Sequence, residues 1–369
     1  MVTAFINGLI VTGEATIDGS ALIIDGKRIS AITDPGSLPP GSRIIDCQGN
    51  FIAPGLIDLQ IAGGGGYLFS ETPTLGAMKA ISDAIVRTGT TGFLIAIPTN
   101  TFEVYNKVTA IAKENHLPSV LGFHFEGPYI STQRRGAHFL SCIKKPDRDE
   151  LDLLLKEAGG TIRMMTVAPE ICTRDIIECL SSHDVVVAAG HSNATFSEAV
   201  KGFGWGIRTT THLFNAMSQL HHRDPGLPGA AFETDNVMAS IIADGIHVDY
   251  NMVSIAKKIM KERLFLVSDA VEESSQGTNP HKRQKDRFTL PDGTLSGSVL
   301  SMLTAVRNCV QHVGISLDEA VRMASLYPAR LMGLSDRGKI EPEFRADLVL
   351  FDKNFNVTTV VSDGEIINT

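Results

Sequence analysis

Short runs that are apolar at consecutive positions, each ending abruptly in polar residues, constrain this chain more than any other feature. The clearest are residues 92–97, 120–125, 185–189 and 264–267, separated by longer amphipathic stretches. A strand that is apolar on both faces needs cover on both faces, which points to a parallel sheet enclosed by helices. One helix start is explicit: Ser316 followed three residues later by Glu319 reads as a capping box.

The two ends of the chain have a different texture. Residues 5–11 place apolar runs on either side of Asn7-Gly8, a hairpin signal, and residues 21–32 repeat the pattern around Asp25-Gly26. Residues 43–46 form a third run, and 346–351 and 358–361 lead to another turn at Asp363-Gly364. The expectation is one small β domain assembled from residues 1–50 and 336–369, flanking an α/β unit over 51–335. The length suits a (β/α)8 TIM-like barrel beside a β-sandwich-like domain. Periodicity alone equally allows a doubly wound sheet; the placement of polar residues favours the barrel.

Four strand-like runs lead into residues able to bind a metal or move a proton. Glu126 follows 121–125, His191 follows 185–189, His212 follows 207–211 and Asp269 follows 264–268. In a parallel barrel these ends open onto one face, where residues distant in sequence converge. Glu126, His191 and His212 would give one cation three protein ligands and leave a position for water, the arrangement of a catalytic site. Asp269 would be the base that moves the proton. Each residue alone has a plainer reading: a core or capping histidine, a buried carboxylate paired with arginine, a helix cap for Asp269. All four at strand ends argue for one site.

Other features carry less. Gly63-Gly64-Gly65-Gly66 lacks the Gly-Lys-Ser/Thr ending of a phosphate loop and reads as a flexible turn after the first barrel strand. His221-His222 reads as a polar loop, and His116, His183, His281 and His312 as surface or helix positions. The net charge of −8, without long single-sign blocks, argues against generic nucleic-acid binding. No apolar stretch is long enough for a bilayer, so no membrane partner is expected. The opening residues 1–4 do not lead a basic segment into an apolar run, so no secretory signal is expected. Five scattered cysteines without a C-x-x-C pair suit a reducing cytoplasm.

Seven segments together resemble one family: residues 51–58, 124–128 (His-Phe-Glu-Gly-Pro), 190–195 (Gly-His-Ser-Asn-Ala-Thr), 211–217 (Thr-His-Leu-Phe-Asn-Ala-Met), 242–248, 267–270 and 293–298. In this order they resemble the N-acetylglucosamine-6-phosphate deacetylase family of the amidohydrolase superfamily. The first segment is common to many amidohydrolases; 190–195 and 211–217 are far more specific. The resemblance implies the barrel with its terminal β domain, ligation by Glu126, His191 and His212, and Asp269 as proton acceptor and donor. For a phosphosugar it implies contacts from Ala137, His138, Asn215, Ala216, Arg223, Asp244, His247, Leu295, Ser296 and Gly297. Arg223 is the phosphate candidate, since a guanidinium offers paired donors. The resemblance further implies a homodimer and leaves open whether the His138 loop serves its own or a neighbouring subunit's site.

One position departs from the superfamily. Many members carry His-x-His at the end of the first barrel strand for a second metal, where this chain reads Gln60-Ile61-Ala62. Glutamine is a poor substitute for imidazole around a zinc-like ion, so one divalent ion per subunit is expected, zinc by default, with ferrous iron or another divalent ion as alternatives. The implied reaction is removal of the acetyl group from N-acetylglucosamine 6-phosphate. Alternatives are the galactosamine epimer, a cyclic amide, or a catalytically silent barrel acting as a scaffold.

Overall fold

The computed structural model describes residues 1–273 and 280–368, without the side chain of Asn368. Eight parallel strands follow one another around a single sheet: β1 (Leu56–Ile61), β2 (Thr90–Pro98), β3 (Val120–Glu126), β4 (Ile162–Val167), β5 (Val186–Ala189), β6 (Thr209–Thr210), β7 (Met238–Ile241) and β8 (Leu264–Leu266). The seam closes just beyond β8: Ile61 bridges Ala270 in parallel, and Ala62 N–H donates to Ala270 O at 2.8 Å. This is a (β/α)8 barrel, and the doubly wound alternative is excluded.

All six residues of β1 are buried, as are eight of the nine in β2. Such strands form because every side chain has cover, from the barrel interior on one face and from helices such as Leu75–Val86 and Phe102–Glu114 on the other. Full burial of one valine, leucine, isoleucine or phenylalanine contributes roughly 1.5–3 kcal/mol. Among the described residues, no helix is long and apolar enough to cross a membrane.

The termini build two further sheets, of four and six strands. Phe5, Leu22, Ile24 and Ile29 from the first pack with Ile10, Ile52, Leu348, Leu350 and Val361 from the second in one core, so the pair forms a sandwich. Phe51–Pro54, assigned to the barrel segment by sequence, pairs instead with Leu9–Val11 and Leu348–Phe351 in the six-stranded sheet. Arg337 ties sandwich to barrel, donating to Asp347 at 2.7 Å and to the carbonyl of Pro118 at 3.0 Å.

Local signals failed in two places. Asn7-Gly8 does not close a hairpin: Val2–Ile6 pairs with Ala21–Asp25 and Arg43–Asp46, whereas Leu9–Val11 joins the other sheet. The link passes tightly over Ile52, whose Cδ1 would lie 2.7 Å from a β-carbon at Gly8. Ser316 caps its helix, but Glu319 does not complete the box, because its carboxylate is taken by Lys257, Arg322 and Tyr327. The full capping box occurs at Thr195 and Glu198. The glycine run is the turn expected after the first barrel strand, and it closes a short hairpin: Gly63–Gly64 pairs with Tyr67–Leu68 around Gly65 and Gly66, at φ +59° and +87°.

Candidate metal centre and active site

Glu126 ends β3, His191 follows β5 by two residues, His212 follows β6 by two, and Asp269 lies three beyond β8. The barrel therefore gathers them at its C-terminal end. Below them, His124 bonds Leu59 O at 2.9 Å and Thr166 Oγ1 at 2.7 Å, and Thr166 meets Thr211 Oγ1 at 2.6 Å. This buried polar ladder fixes the strands that carry the site. Both nitrogens of His124 are used within it.

The ligand candidates converge. His191 Nε2 and His212 Nε2 stand 3.0 Å apart, and Glu126 Oε1 lies 3.6 Å from the first and 3.5 Å from the second. A tetrahedral ion with ligand distances of roughly 2.0–2.1 Å spaces its donors by roughly 3.3 Å. The three buried donors thus have the chemistry and spacing of a divalent metal site. His191 Nδ1 donates to Arg134 O at 3.1 Å, which leaves Nε2 with its lone pair toward the centre. His212 Nδ1 is buried without a hydrogen-bond partner among the described residues.

Backbone strain accompanies this placement. His191, His212 and Asp269 have φ of +45°, +34° and +53°, left-handed conformations that side chains other than glycine rarely adopt. Gly190 lets His191 sit where it does: a β-carbon there would lie 2.8 Å from Thr211 Cβ and 2.9 Å from Thr166 Cγ2.

Charge is distributed unevenly among the four. Burial works against ionisation of Glu126, but the adjoining His191 and His212 imidazoles prevail and hold it well below the usual carboxylate range. Burial also opposes a charge on His212, and Glu126 overrides it, raising the imidazole. Burial and the neighbouring Glu126 charge push Asp269 up to about 6. One carboxylate is thus held as an anion while the other titrates closer to neutrality.

The remaining sequence candidates lie at varied distances from this centre. His138 is buried, its ring edge-on to His191 with centroids 4.2 Å apart, and its Nδ1 accepts Thr99 N–H at 3.0 Å. It stands against its own subunit's site. Burial first, then nearby His191, keeps it neutral, so Nε2 carries the hydrogen. His247 Nδ1 meets Asp244 Oδ2 at 2.6 Å, and His247 is close enough to Asp269 to influence its charge. Ala216 O accepts Ser192 N–H at 3.1 Å and Asn215 N–H donates to His212 O at 2.9 Å, setting both beside the histidines. Ala137, next to His138, is half-buried.

Leu295, Ser296 and Gly297 belong to the strand Leu295–Ser298, which adjoins Asp269 through Ser298 N–H to Asp269 O at 2.9 Å. Ser296 Oγ also meets His281 Nδ1 at 2.9 Å, so His281 is half-buried against this strand rather than a plain surface residue. Arg223 sits in the exposed turn from His221 to Asp224. Among the described residues no hydrogen bond or ion pair joins it to the Glu126 cluster. Gln60 and Thr99 also contribute, outside the motifs that mark the other residues. Asp58 and Gln60 are the two polar residues in an otherwise apolar β1, which is a usable signal; Thr99 acts through its backbone N–H, which sequence does not advertise.

Comparison with known proteins agrees with this geometry. The amidohydrolase family model matches residues 51–367. The chain is 33% identical to the N-acetylglucosamine-6-phosphate deacetylase of Haemophilus influenzae, with 98% of each covered. It is 35% identical to the N-acetylgalactosamine-6-phosphate deacetylase of Shewanella sp., covering 97% of this chain and 92% of that one. Crystallographic N-acetylglucosamine-6-phosphate deacetylase from Pasteurella multocida superposes with a TM-score of 0.96 at 33% identity, covering all of both chains. A variant of the Mycobacterium smegmatis deacetylase in complex with N-acetyl-D-glucosamine-6-phosphate gives 0.91 at 29% identity, covering 100% of this chain and 99% of that one. The chain belongs to the amidohydrolase family, in its N-acetylglucosamine-6-phosphate deacetylase branch.

Proposed function

We propose that this chain hydrolyses the acetamide of N-acetyl-D-glucosamine 6-phosphate, releasing acetate and D-glucosamine 6-phosphate. The observation that carries this reading is the convergence of Glu126, His191 and His212 at one end of the barrel, in a chain matched over its length by deacetylases of that substrate.

Glu126, His191 and His212 hold one divalent ion, zinc being the first choice for a His/His/carboxylate set and ferrous iron the second. When bound, the ion supplies Lewis acidity that makes water a better nucleophile and the amide carbonyl a better electrophile. Asp269 takes a proton from the attacking water as the new C–O bond forms. It returns that proton to the nitrogen as the C–N bond breaks, so the amine departs neutral. His247, fixed through Nδ1 by Asp244, presents Nε2 to the substrate, where it accepts from a sugar hydroxyl. His138 offers its Nε2–H to the substrate. Arg223 receives the phosphate, and Ala137, Asn215, Ala216 and residues 295–297 position the sugar.

The reading takes residues 51–335 as the segment that holds the catalytic barrel, and 1–50 with 336–369 as the sandwich, which strand 51–54 joins. The reading includes a homodimer in the cytoplasm. Five unpaired cysteines, four of them buried, suit a reducing compartment. The 35% identity to an N-acetylgalactosamine-6-phosphate deacetylase supports a second reading in which the 4-epimer is the substrate.

Acetate release from both epimeric phosphosugars and from unphosphorylated N-acetylglucosamine tests the assignment. The glucosamine phosphate is expected to give the highest kcat/KM and the unphosphorylated sugar a much lower one. Preference for the galactosamine epimer selects the second reading, and inactivity on all three refutes both.

A further inference from the structure

Gln60 lies in β1 with only 1% of its surface exposed. Its side-chain nitrogen is 2.9 Å from Glu126 Oε1 and 2.9 Å from Asp269 Oδ1. An amide nitrogen has two hydrogens, so each carboxylate receives one. Turning the amide over would set its oxygen against two carboxylate oxygens, and chemistry therefore fixes its orientation.

The backbone beneath is pinned as well. Asp58 Oδ1 accepts Gln60 N–H at 3.1 Å and Ser268 N–H at 3.2 Å, and Ser268 Oγ donates to Asp58 Oδ2. A single buried carboxylate thus ties together the two sides of the barrel seam, one carrying Gln60 and the other Asp269. Asp269 sits at φ +53°, a conformation that persists only where its surroundings enforce it.

We propose that Gln60 is a positioning residue whose carboxamide holds Asp269 and Glu126 in one fixed arrangement, filling with a neutral group the place a bridging cation would take. With Oδ1 of Asp269 committed to Gln60, Oδ2 is left to carry the proton. Two facing carboxylates repel one another, and the two N–H groups offset that repulsion without adding charge. The same contacts occupy the space in which a second ion would join Glu126 to Asp269. The kinetic part of this inference rests on the proton-transfer role given to Asp269 above; the metal-exclusion part does not.

Two variants test it: Gln60→Leu, similar in bulk but without donors, and Gln60→Glu, similar in shape with a third carboxylate. The readouts are kcat and KM on N-acetylglucosamine 6-phosphate, metal content by mass spectrometry, and Tm. For Gln60→Leu, kcat is expected to fall about 10- to 100-fold, with metal still at one equivalent. KM should stay within about threefold, since a fall in kcat alone marks an interaction needed for the chemical step. For Gln60→Glu, a second divalent ion per chain is expected in metal excess. A Gln60→Leu enzyme with unchanged kcat, or one that loses its metal or its fold, overturns the positioning role. A Gln60→Glu protein that keeps one ion overturns the bridging role. Wild-type protein inactive on the phosphosugar refutes the proposed reaction instead, and the Gln60→Glu metal count still decides the bridge.

Discussion

The Asp244 carboxylate meets His247 Nδ1 at 2.6 Å through one oxygen, while the other accepts the backbone N–H groups of Ile246 and His247 at 2.8 Å each. Both side chains are nearly buried, 7% and 5% exposed. A carboxylate so fully engaged acts on the imidazole, and it dictates which ring nitrogen is left free. Asp244→Asn is expected to lower kcat/KM about 10- to 100-fold while leaving metal content unchanged. Steady-state kinetics within twofold of wild type would contradict this.

Asp269 is given the proton in both halves of the reaction. Replacing it by asparagine should reduce turnover by at least about 10²-fold, while calorimetry still detects phosphosugar binding and metal analysis still finds the ion. An Asp269→Asn enzyme that turns over at the wild-type rate would remove the residue from the mechanism.

In the proposed mechanism Arg223 provides charge for phosphate from an exposed turn. Arg223→Met should raise KM for the phosphorylated substrate and leave the slow hydrolysis of the unphosphorylated sugar nearly unchanged, because only the former uses the guanidinium. Equal losses on both substrates would show that the turn matters for something other than phosphate.

Glu319 joins Lys257, Arg322 and Tyr327 in a partly buried cluster. Burial opposes its charge, but Lys257 and Arg322 prevail and lower it below the usual carboxylate value. The sign follows: a lowered folded-state value gives stability that is fully present above the unfolded-state value, roughly pH 4.5, and lost as pH falls through the folded one. Denaturant unfolding should show Glu319→Gln to be about 1–3 kcal/mol less stable than wild type at pH 7, discounted for partial exposure, with the gap narrowing below about pH 4. A gap independent of pH would place the loss elsewhere than in the charge.

The fold and the four central residues were legible because both follow from one pattern, an apolar run that ends in a functional group. Glu126, His191, His212 and Asp269 each mark the point where a buried strand reaches the open end of the barrel. The hairpin signal at Asn7-Gly8 misled because turn chemistry is local, whereas the choice of sheet depends on Ile52 and other residues far along the chain. Glu319 shows the same competition: a capping-box residue drawn away by tertiary partners. Gln60 was read for the imidazole it lacks, and its two hydrogen bonds emerge only when β1, β3 and the segment after β8 are brought together. Family likeness points to Asp244 and His138, but their hydrogen-bond partners depend on three-dimensional placement.

The most direct test strips metal from the purified chain with a chelator and restores a divalent ion in measured increments while acetate release from N-acetylglucosamine 6-phosphate is followed. Activity should vanish on stripping, return in proportion to added ion and level off at one equivalent per chain. Full activity after verified removal of metal, or a plateau at two equivalents, would contradict a single-ion centre built from Glu126, His191 and His212.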